Sequence, residues 1–543
     1  MKIKKINTQA FDDQKPGTSG LRKRVNVFVQ KNYLENYIQS IFDCLENKAG
    51  KTLIIGGDGR FYNIEAIQTI IKMASANGFG KLIIAQNGLL STPAASHLIR
   101  HYNAFGGIIL SASHNPGGKN GDFGIKYNIS NGGPAPEKLT DRVFVRTKTI
   151  EQYFIVEAKD IDLSKIGANQ IGDMRIEIID PVTDYANLMA KLFDFDAISN
   201  LFKSGFKICF DAMHAVNGPY AETIFNDMLG ATKNAITNAT PLPDFGGLHP
   251  DPNLVYAKKL YDLMMSKNAP DFGAATDGDG DRNLIIGKDI FITPSDSLAI
   301  LAANLHLIKG YKNGISGIAR SMPTSMAADK VAQALAVPIY ETPTGWKYFG
   351  NLLDDGRITI CGEESAGTGS NHVREKDGLW AVLAWLNILA VKKQSVKTIA
   401  NEHWKKFGRN YYTRHDYEEI DVKVASKLIE RLKEKLKTLV GSEVSGMKIS
   451  SSDNFSYLDP VDGSLSKNQG IRILFENGSR IVIRMSGTGT IGATIRIYIE
   501  RYEPAQGELN LDAQHALAEL IKVAKQITQI EQLTGRDRPN VVT

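Results

Sequence analysis

From residue 51 onward, short apolar runs alternate with stretches whose apolar residues recur at helical spacing. Thr52–Ile55 is a run ending in Gly56-Gly57-Asp58-Gly59, and Ile64, Ile67, Ile70, Ile71 and Ala74 then line one face of a helix over Ile64 to Ala76. Leu82–Ala85 predicts a second strand, Thr92 to Tyr102 a second helix and Gly107–Leu110 a third strand. Strands alternating with helices imply a mostly parallel sheet covered by helices. Right-handed crossovers then bring the strand C-terminal ends to one rim. The scheme recurs twice. Phe206–Phe210, a helix near Gly218–Leu229 and Phe272–Thr276 form one set. Strands Gly314–Ile318, Pro338–Glu341 and Arg357–Cys361, with helices Thr324–Leu335 and Gly345–Leu353, form the other.

The C-terminal stretch reads differently. Ile471–Phe475 and Arg480–Met485 flank Asn477-Gly478, a favoured hairpin turn, and Thr494–Glu500 predicts a further strand. A closing helix near Asp512–Leu533 places Leu517, Leu520, Ile521, Ala524 and Ile527 on one face, with Gly535 as its stop. The expected class is therefore α/β: three similar α/β domains, at 1–177, 178–300 and 301–392, plus a C-terminal α+β domain at 408–543. The charged stretch around 392–410, which contains Trp404, is expected to connect into the last.

Composition narrows the function classes. A chain of 543 residues exceeds a single core, and 43% hydrophobic with 23% charged residues excludes disorder and fibrous classes. The longest apolar run, Leu379 to Val391, is interrupted by Asn387 and is shorter than the ~20 residues of a spanning helix. Met1-Lys2-Ile3-Lys4-Lys5 is not followed by the apolar stretch of a secretory signal. Cys44, Cys209 and Cys361 match neither a disulfide framework nor a zinc pattern, so the expected compartment is the cytoplasm. Net charge is only +5; Arg22-Lys23-Arg24 is the one compact basic triplet, and a solvated turn explains it adequately. No nucleic-acid motif accompanies it.

Four polar, glycine-marked loops follow strands, where open α/β sheets bind ligands. Ser111-Ala112-Ser113-His114-Asn115-Pro116-Gly117-Gly118 holds a serine at a strand end with a histidine beside it. Such a hydroxyl can carry a phosphoryl group when a base and a cation are near. Asp277-Gly278-Asp279-Gly280-Asp281-Arg282 sets carboxylates at alternate positions, which repel unless a cation neutralises them. An EF-hand fails on spacing, because Arg282 stands at position six and Lys288 at position twelve. Mg²⁺ with a phosphate as further ligand fits the hard oxygen donors. Cys361 to Ser370 offers Glu363 and Ser365 as acceptor and donor for a sugar diol. Arg484 to Thr490 combines arginine, hydroxyls and glycine-freed backbone into a phosphate cradle without the ending of a P-loop.

Together these loops closely resemble the α-phosphohexomutase family, and within it the glucose-specific phosphoglucomutase branch. The matching motifs also include Lys15 to Arg22, Thr342 to Lys347 and Arg374 to Gly378, so the resemblance spans nearly the whole chain. It implies four domains around one central cleft, with Ser113 as phosphoryl carrier and Mg²⁺ on Asp277, Asp279, Asp281 and the Ser113 phosphate. It places Arg22, Arg282, Thr344, Glu363, Ser365 and Lys376 on the sugar phosphate, and Arg484, Ser486, Thr488 and Arg496 on the non-reacting phosphate. His114 and Lys126 are its candidates for proton transfer or charge stabilisation. The implied activity interconverts glucose 1-phosphate and glucose 6-phosphate, with glucose 1,6-bisphosphate as intermediate and activator. The implied partners are small hexose phosphates, without nucleic acid or membrane, for a monomer or weak homo-oligomer. Mannose or glucosamine phosphates are alternative substrates; a catalytically silent structural paralogue is the alternative of another class. Ser111, Ala366 and Asn371 depart from the family pattern, and Asn371 is expected to shift sugar affinity.

Overall fold

Three sheets repeat one unit, in which the first strand lies between the second and third, parallel to both, and a fourth returns antiparallel beside the third. The computed structural model, which describes residues 2–17, 19–486 and 492–543, shows this unit in each of the first three domains. In the first, Thr52–Gly57 pairs in parallel with Lys81–Leu89 and Gly106–Leu110, and Asp122–Ile129 returns antiparallel. Leu21–Arg24 on one side, and Met174–Ile179 followed by the edge strand Gly167–Ile171 on the other, extend that sheet to seven strands. In the second, Ile208–Asp211 takes the central place, with Ile236–Thr237 and Phe272–Thr276 beside it and Asn283–Gly287 returning. In the third the central strand is Ile318–Ser321, its parallel neighbours are Ile339–Thr342 and Ile360–Glu363, and Gly367–Ser370 returns. Each hairpin from third to fourth strand is one of the polar loops: 111–121, 277–282 and 364–366.

Some elements differ from expectation. The strand expected at Gly314–Ile318 begins only at Ile318, because Gly314 sits at φ +90° in a turn that ends the preceding segment. The helix expected near Gly218–Leu229 is Asn217–Ala221 continued as a π-helical stretch over Glu222–Met228. The closing helix is broken into Ala513–Ala516, Ala518–Thr528 and Ile530–Thr534, with Gln529 in a left-handed conformation at the second break. Residues 392–410 are not a loose connection. Val396–Phe407 is a helix whose Val396, Ile399, Ala400 and Trp404 join the core shared by the first three domains. The chain turns out of that core at Gly408, at φ +81°. Apolar residues all round helix Gly378–Lys392 bury it from Gly378 to Leu389 in that core, and only its last turn emerges.

The fourth domain is an antiparallel seven-stranded sheet, ordered Glu443–Val444, Met447–Asn454, Ile471–Phe475, Arg480–Ser486, Ala493–Glu503, Arg409–Ile420, Val541–Val542. Helices Val422–Leu439 and Ala518–Thr528 bury their apolar stripes on one face. Its other side meets the third domain through Met322, Tyr348, Phe455, Tyr457, Val482 and Tyr498. Among the described residues no helix is long and apolar enough to cross a membrane.

Candidate active site

Ser113 occupies a left-handed backbone conformation, φ +53°, in a buried loop. Few non-glycine residues adopt it, and it persists only where surroundings dictate it. Here the Ser113 N–H donates to Ser111 Oγ at 2.7 Å, so serine at position 111 supplies a hydroxyl that braces the loop. Arg60, side chain fully buried, donates to Ser113 O and Asp122 O at 2.8 Å each. Its Nε contacts both oxygens of Asp58, at 2.9 and 3.0 Å, and its guanidinium lies 5.2 Å from the Phe245 ring centre. Arg60 was not singled out above; its signal is the charged Asp58-Gly59-Arg60 directly after a buried strand. The serine hydroxyl donates to Asp277 Oδ2 at 2.9 Å and lies 3.4 Å from His114 Nδ1.

Asp277, Asp279 and Asp281 are buried, with ligand oxygens all within 4.8 Å of one another. Glycines permit this. A Cβ on Gly278 would stand 2.4 Å from Ser113 O, and Gly280 holds φ +77° against Asn217. Lys126 and Thr92 Oγ1 both donate to Asp279 Oδ2, the latter at 2.5 Å, and Lys376 reaches Asp281 Oδ2 at 3.2 Å. Asp279 Oδ1 and Asp281 Oδ1, however, are buried without a hydrogen-bond partner. Uncompensated carboxylate oxygens facing one another are unstable unless a cation joins them. The donor set therefore fits a hard divalent ion.

Electrostatics separates the neighbours of this cluster. Burial, with the charges of Asp281 and Asp279, pushes the Asp277 carboxyl well above its ordinary range. Burial also opposes the ionised form of Asp279, but Lys126 and the Thr92 hydroxyl overcome it and hold that group low. Burial acts to neutralise Lys126, yet Asp279 and Asp281 prevail and keep it an ammonium. His114 is driven far down by burial and by Arg282, Arg22 and Lys376, so its imidazole is neutral. Glu375, which accepts from Asn128 Nδ2 at 2.9 Å, is raised by burial to about 7.

A cavity of about 990 Å³ opens above the cluster, lined by residues from all four domains. Arg22, Lys126, Asp281, Arg282, Thr344, Glu363, Ser365, Lys376, Arg484, Ser486 and Arg496 all face it. Ser113, His114, Asp277 and Asp279 lie at its floor or just behind. Arg22 belongs to the edge strand Leu21–Arg24 and faces the cavity, so the solvated-turn reading of the basic triplet is wrong at that residue. Glu363 Oε1 accepts the Gly345 N–H at 2.9 Å and so holds the Thr344 turn, where the Thr344 hydroxyl is buried without a partner. Arg484 and Arg496 are directly opposed across neighbouring strands. Like charges so placed repel, which makes the pair a receptor for an anion. Asn371, expected to shift sugar affinity, is exposed and outside the cavity lining, and its carbonyl accepts from Arg374 at 2.9 Å. Thr488 lies outside the described residues.

Comparison with known proteins agrees with this geometry. Models of phosphoglucomutase/phosphomannomutase alpha/beta/alpha domains I, II and III match residues 13–154, 183–289 and 294–407, and that of the phosphoglucomutase-1 C-terminal domain matches 409–540. The chain is 63% identical over 541 residues to a phosphoglucomutase of Rhizobium radiobacter, covering 100% of both chains. It is 53% identical over 562 residues to human phosphoglucomutase-1, again covering 100% of both. Among solved structures, the open form of the Paramecium exocytosis-sensitive phosphoprotein pp63/parafusin, a phosphoglucomutase, superposes with TM-score 0.93 at 49% identity, over 100% of this chain and 99% of that one.

Proposed function

This chain belongs to the phosphoglucomutase/phosphomannomutase family, and we propose that it is a cytoplasmic, Mg²⁺-dependent phosphoglucomutase with Ser113 as phosphoryl carrier. The observation that carries the assignment is the Ser113 hydroxyl, held in a strained loop 2.9 Å from Asp277, on the metal loop whose Asp281 and Arg282 line a cavity rimmed by further arginines. A bound Mg²⁺ would be held by Asp277, Asp279, Asp281 and the oxygen on Ser113, supplying charge neutralisation to the transferring group.

In the forward step the P–O bond to Ser113 Oγ breaks and one forms to the free hydroxyl of glucose 1-phosphate. The proton of that hydroxyl leaves as the new bond forms, and glucose 1,6-bisphosphate results. The oxygen freed on Ser113 takes up a proton in exchange for the one the sugar hydroxyl loses; neutral His114, 3.4 Å from Ser113 Oγ, can pass it along as a hydrogen-bond partner, whereas Lys126, kept as an ammonium, stabilises charge on the phosphoryl oxygens. The bisphosphate then turns so that its other phosphate faces Ser113, and the reverse transfer leaves glucose 6-phosphate. Glu363 and Ser365 read the sugar hydroxyls, Arg22, Arg282, Thr344 and Lys376 position the reacting end, and Arg484, Ser486, Thr488 and Arg496 grip the far phosphate. Such chemistry needs positioning and charge compensation above all.

The test is a coupled mutase assay with glucose 1-phosphate and mannose 1-phosphate on wild type and Ser113→Ala. The proposal expects the wild type to prefer glucose 1-phosphate, and the variant to lose turnover on both while its circular dichroism is unchanged. A variant that retains turnover would show that another residue carries the phosphoryl group.

A further inference from the structure

Three strands of the fourth domain carry a row of charges at facing positions. Arg496 stands opposite Arg484 on one side and opposite Asp416 on the other. Residues paired in register share a sheet face. The two arginines line the active-site cavity, and Asp416 sits behind them, 2% exposed. Its Oδ2 is 3.3 Å from Arg496 Nε, while its Oδ1 accepts from Arg414 Nε at 2.9 Å. Arg414, two positions earlier on the same face, also donates to Glu364 Oε2 at 3.0 Å, on the loop between Glu363 and Ser365. A chain of alternating charge, Arg496, Asp416, Arg414, Glu364, thus runs from the phosphate end of the cavity to the sugar loop of the third domain.

Facing guanidinium groups attract an anion, and Asp416 answers that attraction only in part, because Arg414 shares its charge. A phosphate arriving at Arg496 competes with Asp416 for the same guanidinium. The competition has a use. A mutase intermediate must be gripped by either phosphate and let go again, so a clamp that binds too well would stall turning of the sugar. We propose that Asp416 is a positioning residue that limits the phosphate affinity of Arg496, and that Arg414 sets how much of the Asp416 charge reaches Arg496. This rests on the reading above that Arg484 and Arg496 hold the non-reacting phosphate.

The two residues have opposite expected effects. Removing the Asp416 charge frees Arg496 and tightens phosphate binding; removing Arg414 delivers all of Asp416 to Arg496 and loosens it. Calorimetry with glucose 1,6-bisphosphate, and with inorganic phosphate, on Ser113→Ala protein measures this without turnover. Asp416→Asn is expected to lower the bisphosphate Kd about fivefold or more, the lower range of coupling between linked sites, and Arg414→Met to raise it. With Ser113 intact, Asp416→Asn should lower kcat and KM together. Asp453→Asn removes the same charge from the same domain, beside Arg472 and outside the cavity lining, and should leave the Kd unchanged. Structural damage weakens binding, so tightening cannot come from a loosened fold. An unchanged or higher Kd in Asp416→Asn overturns the inference, as does tightening by Asp453→Asn; if Asp416→Asn does not fold, an unchanged or lower Kd in Arg414→Met overturns it. Arg496→Ala separates the two claims: if it leaves bisphosphate binding unchanged the phosphate assignment itself fails, and if it weakens binding while Asp416→Asn does not tighten it, only the role of Asp416 fails.

Discussion

Glu375 shows what burial does to a single carboxyl in this cavity. Its pKa, raised to about 7 by burial against the pull of Lys126, lies above the ordinary glutamate value of 4.5. Between those values the folded chain binds more protons at this site than the unfolded one, so stability falls as pH rises from about 4.5 to 7. Glu375→Gln removes that dependence. Denaturant unfolding in chelator should show the variant gaining on wild type between pH 5 and pH 8, by up to about 3 kcal/mol; parallel pH profiles would contradict it. Residues whose work is local were legible beforehand. Carboxylates at alternate positions between glycines announce a cation wherever the chain folds, and a serine at a strand end announces a nucleophile. Thr92 and Glu375 were not legible, since their partners lie far along the sequence: Asp279 for Thr92, 187 positions away, and Asn128 for Glu375, 247 away. Arg22 is legible through the family resemblance, whereas the local pattern of the basic triplet suggests a solvated turn, because only the sheet edge aims it inward.

The loops owe their convergence to one element repeated three times, the antiparallel return after the third strand. Strand Phe272–Thr276 delivers Asp277 directly, and Asn283 N donates to Ala366 O at 2.9 Å, tying the metal loop to the sugar loop. The metal loop touches the serine loop so closely that Gly278 leaves no room for a methyl group. Gly278→Ala should push the Ser113 backbone away and reduce kcat roughly 10- to 100-fold, the effect of a displacement near 1 Å, with little change in melting temperature. Full activity in that variant would mean the serine loop yields without consequence. Strand existence and order of appearance were readable from apolar runs bounded by glycine. Their third-domain starts were not, because Gly314 and Gly356, at φ +90° and +69°, close the turns that end the preceding segments, and the strands begin only at Ile318 and Ile360.

Across the whole molecule, the fourth domain closes the cavity while anchored to the third by a buried arginine. Arg480 donates to Met322 O at 2.9 Å and Thr324 O at 2.7 Å, and pairs with Glu500 at 2.8 Å. Leaving Glu500 without this partner should destabilise the interface by about 3–5 kcal/mol. Arg480→Met is therefore expected to raise hydrogen exchange across 409–540 while 52–129 stays protected; equal exchange in both regions would contradict it. The division into α/β units and a different C-terminal domain was legible because the periodicity changes. The stretch 392–410 reads as a connection because a charged run looks like a linker until Trp404 is seen buried in the core; Gly408, one turn later, is where the chain leaves that core and where the fourth domain is expected to begin. The central claim is that one serine passes its phosphate through the bisphosphate. Enzyme charged with radiolabelled phosphate on Ser113 and mixed with unlabelled glucose 1-phosphate tests it in one turnover. The label should leave the protein, appear in glucose 1,6-bisphosphate and then in glucose 6-phosphate. Label that stays on Ser113 while product accumulates would contradict it.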